Sequence, residues 1–127
     1  MSDGVSRGER DCWVGFDLGV TKMMAAVLNG EMKPLGKERK KTKGHEGVDT
    51  VLERIVKTIR DALEDANVDP DRLAGIGVGC PGPLDLEKGI VVDAPNLGWK
   101  NVPLRDFLQK EFGCPAVIAK GLVAPGP

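Results

Sequence analysis

Residues Cys12 to Leu28 read CWVGFDLGVTKMMAAVL, two apolar runs joined by Asp17-Leu18-Gly19-Val20-Thr21-Lys22. The first run, Cys12 to Phe16, predicts a buried strand, and Met23 to Leu28 predicts a second strand after the turn. Asp17 then stands at the end of a buried strand, where open α/β sheets place their ligands. Gly19 permits close backbone approach, turn amides can hold phosphate oxygens, Thr21 offers a hydroxyl and Lys22 a point charge. Asp17 suits Mg2+, directly or through water, because hard cations prefer oxygen ligands. On spacing alone the same residues also describe an ordinary hairpin turn with a solvated carboxylate and ammonium. The GxxxxGKS/T phosphate loop is absent.

Outward from this pair of strands, Asn29-Gly30 predicts a two-residue hairpin, because both residues tolerate a positive φ. Glu31 to Lys41 is the returning strand, with Pro34 marking an edge. Its basic end, Lys37 to Lys43, reads as a solvated edge or loop. Val48 to Asn67 carries apolar residues at helical spacing, with Asn67 and Pro70 stopping it. At 1.5 Å per residue this helix is about 30 Å long, enough to cover a sheet face. Leu73 to Gly79 (LAGIGVG) is a short uncharged strand of the kind buried on both faces. Cys80-Pro81-Gly82-Pro83 ends it. Ile90 to Val92 is a brief strand, Asp93 to Lys100 a loop, Pro103 to Phe112 a helix closed by Gly113, and Ala116 to Ile118 a last strand. The order is β-β-β-α-β-α-β, an α/β domain with a mixed sheet.

Composition narrows the function classes. The chain has 127 residues, 41% apolar and 29% charged, ordinary figures for one domain. A net charge of −1 gives no drive toward nucleic acid or an anionic membrane. Aromatic residues are 4% with no tyrosine, which argues against a base-stacking surface. No apolar run approaches the roughly 20 residues of a membrane span, and MSDGVSRGERD does not read as a signal peptide. Cys12, Cys80 and Cys114 are widely spaced, with no CxxC pair for zinc, so the default is a reduced, cytoplasmic protein. His45 is the lone histidine and reads as a loop residue. Cys80 reads as a small buried hydrophobe, and Asp85 and Glu87 as water-facing turn residues.

Pro81-Gly82-Pro83 follows a buried strand and so belongs at the sheet mouth. Gly82 lets backbone amides approach a ligand hydroxyl between two stiffening prolines. Asn96 offers donor and acceptor together, which suits a polyol, and Trp99 could shield one face of a pocket. A tight turn with a structural tryptophan fits the same residues.

Two stretches resemble known families. FDLGVTKMMAAVL, Phe16 to Leu28, resembles the first phosphate motif of the sugar-kinase, heat-shock-chaperone and actin superfamily. GIGVGCPGPLDLEKGIVVDAPNLGWKNVPL, Gly75 to Leu104, is similar to the segment that typifies the ROK family (repressor, open reading frame, kinase). The resemblance implies the ribonuclease-H-like fold and its N-terminal lobe. It implies an ATP-dependent kinase that transfers the γ-phosphoryl to a hexose, glucose being favoured, with Mg2+ as cofactor. Asp17, Gly19, Thr21 and Lys22 would then meet Mg-ATP, and Gly82 and Asn96 the sugar. The family's Cys/His zinc motif has no counterpart here. Relatives often associate through their second lobe, so a homo-oligomer interface is not expected in this stretch.

The sequence departs from the family pattern twice. Val20 replaces the usual glycine of the phosphate turn, and a β-branched residue there resists a positive φ. After Val117-Ile118-Ala119 the family has an Asn-Asp pair whose Asp is the general base. Here Lys120-Gly121 follows, and no Asp or Glu occurs after Glu111. No catalytic residue is therefore assigned. The expected organisation is a flexible leader at 1–11, the lobe at 12–118, and a divergent, disordered tail at 119–127. The expected protein is truncated or frame-shifted after Ile118 and inactive alone. Two rivals stand beside this reading. One is a sugar-sensing regulator, disfavoured because about a dozen residues before Trp13 are too few for a helix-turn-helix. The other is a non-catalytic module binding sugar or nucleotide.

Overall fold

In the computed structural model, which describes residues 10–120, strand β1 (Cys12–Leu18) runs up the middle of a five-stranded sheet. It is followed by β2 (Lys22–Leu28), β3 (Pro34–Lys41), α1 (Val48–Ala66), β4 (Leu73–Cys80), β5 (Leu84–Asp85), β6 (Ile90–Ala94), β7 (Trp99–Val102), α2 (Leu104–Phe112) and β8 (Ala116–Lys120). The sheet order is β3-β2-β1-β4-β8. β1, β2 and β3 pair antiparallel, whereas β4 and β8 run parallel to β1, so the sheet is mixed.

Alternation along β1 sends Cys12, Val14, Phe16 and Leu18 into the core and leaves Trp13, Gly15 and Asp17 on the other face. α1 meets the core with Val51, Ile55, Ile59, Ala62 and Leu63, and α2 with Leu104, Leu108 and Phe112. Both helices cover the same sheet face, each fully buried aliphatic side chain contributing roughly 1.5–3 kcal/mol. β3 comes closest to α1 at Gly36, where a Cβ would stand 2.6 Å from the Ala66 nitrogen. The opposite face carries small residues in one row: Gly15, Ala26, Gly77 and, at the edge, exposed Val117. An open cleft of about 620 Å³ lies along it.

Several expectations change. Asn29-Gly30 does not make a two-residue hairpin: neither residue has a positive φ, and the left-handed residue is Met32. The loop spans five residues because the Asn29 Oδ1 accepts from the amides of Glu31 (2.8 Å) and Lys33 (3.0 Å), wrapping the chain around its own side chain. The strand LAGIGVG is buried except at Ala74 and Gly77, which are half-buried, and Gly77 looks onto the cleft. The stretch Asp93 to Lys100 is not a plain loop: it ends β6, makes a 3-10 turn at Pro95–Leu97 and begins β7, within a second sheet of order β5-β6-β7. Helix α1, by contrast, ends where expected, on left-handed Asn67. β8 extends through Ala119 and Lys120, so the lobe runs past Ile118. At the other end Arg10 donates to the Leu73 carbonyl and Asp11 pairs with Arg72, which ties down the last two leader residues. The rest of the expected leader, 1–9, and of the tail, 121–127, lies outside the described residues.

Candidate functional site

The carboxyl ends of β1, β4 and β8, the start of β2, the end of β3 and the start of α1 gather at one edge of the sheet. Asp17, Gly79 and Ala119 form one row there. Asp17 is half-buried on the cleft face and lines the cleft with Gly79 and Ala119.

The phosphate-type turn follows directly. The Gly19 amide donates to the Lys22 carbonyl at 3.0 Å, closing the turn, and Val20, Thr21 and Lys22 are exposed around it. A Cβ on Gly19 would stand 2.6 Å from that Lys22 carbonyl oxygen, so glycine is required for space. Val20 does not adopt a positive φ and is 42% exposed. The conformational penalty expected from its β-branch therefore does not arise in this turn.

The loop after β4 is shaped by Gly82, at φ 88, with its Cα against the carbonyl of Asp93. The Val92 amide donates to the Pro83 carbonyl at 3.0 Å and fastens the loop to β6. The exposed Asn96 sits on the Pro95–Leu97 turn, which Gly98 closes in the left-handed region. That turn packs against Gly44, whose Cβ would come 3.1 Å from Leu97 Cδ2. Gly44 opens the 3-10 turn between β3 and α1, so the Asn96 turn reaches the edge that holds the phosphate-type turn. Trp99 does not wall a pocket: it is 1% exposed, and its indole Nε1 has no hydrogen-bond partner among the described residues.

Other residues take structural parts. Cys12, Cys80 and Cys114 are free and buried, and burial pushes the Cys80 thiol up to about 11. Lys120 ends β8 opposite Cys80 and is exposed. His45 lies exposed in the 3-10 turn. Lys40 leaves the basic edge to pair with Asp61 of α1 at 2.8 Å. Thr42 is a group that periodicity passes over. It is wholly buried at the end of β3 and donates its hydroxyl to the Gly19 carbonyl at 2.8 Å. A threonine after a run of lysines carries no pattern that distinguishes it from a loop residue.

The donor set fits a hydrated magnesium ion carrying phosphates: a half-buried carboxylate at a cleft edge with a hydroxyl, an ammonium and turn amides beside it. Among the described residues there is no group of three or more His, Cys, Asp or Glu that could hold a metal ion. No described helix is long and apolar enough to cross a membrane.

A mixed β3-β2-β1-β4-β8 sheet with two helices on one face is the N-terminal lobe of the ribonuclease-H-like fold shared by actin, hexokinase and heat-shock chaperones. The chain belongs to the ROK family, whose sequence pattern it matches over residues 13–124. It is 34% identical over 105 residues to a xylose repressor of Caldicellulosiruptor bescii, covering 83% of this chain and 26% of the repressor. It is 36% identical over 101 residues to a glucokinase of Thermotoga maritima, covering 79% and 30%. A ROK family glucokinase from Streptomyces griseus, solved in complex with glucose and AMPPNP, superimposes with a TM-score of 0.74 at 27% identity, covering 86% of this chain and 33% of that one. The chain thus spans between a quarter and a third of the length of these relatives.

Proposed function

We propose that this chain is the nucleotide- and sugar-facing N-terminal lobe of an ATP-dependent hexose kinase, glucose being the favoured acceptor. The observation that carries this reading is the gathering of the Asp17–Lys22 turn, the Pro81–Gly82 loop and the Asn96 turn at one sheet edge. Asp17 would hold Mg2+ through an oxygen or a water, and Thr21, Lys22 and the turn amides would meet phosphate oxygens. Bound Mg2+ supplies neutralisation of phosphate charge. Gly82 shapes the loop whose amides approach sugar hydroxyls, and Asn96 offers both a donor and an acceptor to them.

Phosphoryl transfer depends on positioning and charge neutralisation across a cleft, with a base on the attacking hydroxyl. Lys120 and Gly121 occupy the positions of the family's Asn-Asp pair, and an ammonium does not accept that proton. The chain by itself therefore binds Mg-ATP and glucose weakly and does not turn them over. Titration calorimetry with Mg-ATP and with glucose, beside a coupled glucose-phosphorylation assay, tests both halves. Turnover by this chain would overturn the second half, and absence of Mg-ATP binding the first.

The match to a xylose repressor favours a second reading, a sugar-binding module without catalysis. Xylose binding that is indifferent to Mg-ATP, with no nucleotide binding, would select it.

A further inference from the structure

Thr42 and Thr58 are the fully buried polar side chains among the described residues, and Thr42 touches the phosphate-type turn twice. Its amide donates to the Thr21 carbonyl at 2.9 Å and its hydroxyl to the Gly19 carbonyl at 2.8 Å. Its own carbonyl accepts from Arg54 Nη1 of α1 at 2.7 Å. Arg54 also pairs with Glu46 through its other terminal nitrogen, and the Thr58 hydroxyl donates back to the Arg54 carbonyl at 2.6 Å. The turn is thereby connected through one threonine to the first turns of α1.

Packing alone does not require this hydroxyl, since valine fills nearly the same volume at the end of a strand. The hydroxyl orients the backbone instead. A trans peptide is planar, with its carbonyl and its N–H pointing in opposite directions. Holding the Gly19 carbonyl toward Thr42 turns the Val20 amide away from β3. Holding the Thr21 carbonyl does the same for the Lys22 amide.

We propose that Thr42, braced by Arg54 and Glu46, is a positioning residue that aims the Val20 and Lys22 amides at phosphate oxygens. The proposal rests on reading Asp17–Lys22 as the phosphate turn.

The test compares Thr42→Val and Thr42→Ser with the unchanged chain in two measurements. One is hydrogen exchange of the Gly19 amide, which is bonded to the Lys22 carbonyl; the other is the Kd for Mg-ATP. Loss of one buried hydrogen bond predicts roughly tenfold faster Gly19 exchange and roughly tenfold weaker Mg-ATP binding in Thr42→Val. Thr42→Ser, which keeps the hydroxyl, stays within about twofold of the unchanged chain on both. Equal losses in the two variants overturn the proposal, as does a uniform rise in exchange across β1 and β4 or no change in Thr42→Val. If the unchanged chain binds no Mg-ATP, the phosphate reading falls and the proposed role falls with it. Gly19 exchange then reports separately whether Thr42 clamps the turn.

Discussion

Gly82 lies so close to Asp93 that a Cβ at position 82 would stand 2.0 Å from the Asp93 carbonyl oxygen. Its φ of 88 adds a second demand that only glycine meets without strain. Gly82→Ala must push the loop off β6. The expected outcome is a loss of about 2 kcal/mol or more in urea unfolding, together with loss of glucose binding. A variant as stable as the unchanged chain would contradict the geometry.

Two other glycines should separate cleanly. Gly36 faces the backbone of Ala66, so Gly36→Ala forces β3 away from α1 and should destabilise by about 1–3 kcal/mol. Gly30 has nothing within 4 Å of a built Cβ and no positive φ, so Gly30→Ala should stay within about 0.5 kcal/mol or stabilise. Had Asn29-Gly30 formed the tight hairpin its letters advertise, Gly30→Ala would be the damaging change. Thermal melts of the pair decide it.

Asp17 lies on an open cleft, and among the described residues its side chain makes no hydrogen bond or ion pair. Asp17→Asn should leave the melting temperature within about 3 °C while weakening Mg-ATP binding at least about tenfold. Equal affinity in the variant would remove Asp17 from the site.

Glu46, Asp61 and Asp11 are each held below the ordinary carboxylate range, chiefly by hydrogen bonds from Arg54, Lys40 and Arg72. Their folded pKa values lie below the unfolded ones. Their stabilisation is complete above the unfolded value and is lost as pH falls through the folded one. Lys40 has the opposite sign: its pKa is raised by Asp61, so its share is lost only as pH climbs through that raised value. The melting temperature should hold from neutrality to about pH 5 and fall below about pH 4, and the fall should be smaller in Asp61→Asn and in 1 M salt. An identical acid limb in the variant would refute the assignment.

Burial holds the Cys80 thiol at about 11 and raises Cys12 and Cys114 as well. At pH 8 only about one Cys80 in a thousand is thiolate. A disulfide-exchange reagent should label none of these cysteines in the folded chain and all of them in urea.

The long apolar periodicities were legible from the letters. The β1 apolar run and the α1 and α2 stripes each supply a buried face, and burial is what such patterns encode. The phosphate-type turn and the Gly82 loop were legible because glycine and proline mark strand ends. What escaped depended on contacts distant in sequence or on side chains bonding backbone. β7 pairs with β6 across a 3-10 turn, and two short strands of four and five residues leave little pattern. Asn29 wraps its own loop, which its Asn-Gly dipeptide disguises. The letters left Trp99 between a pocket wall and a structural residue, and it fills the core. Thr42 matters through bonds to residues 19, 21 and 54, which no local window contains.

The sheet face that bears Gly15, Ala26 and Gly77 has no described helix over it, and β8 carries the exposed Val117 beside it at the sheet's edge. Such a surface makes the chain's behaviour in a tube a matter of concentration before temperature. Apolar dyes should brighten on the native state, ammonium sulfate should bring the chain down early, and refolding yield should drop as protein is added.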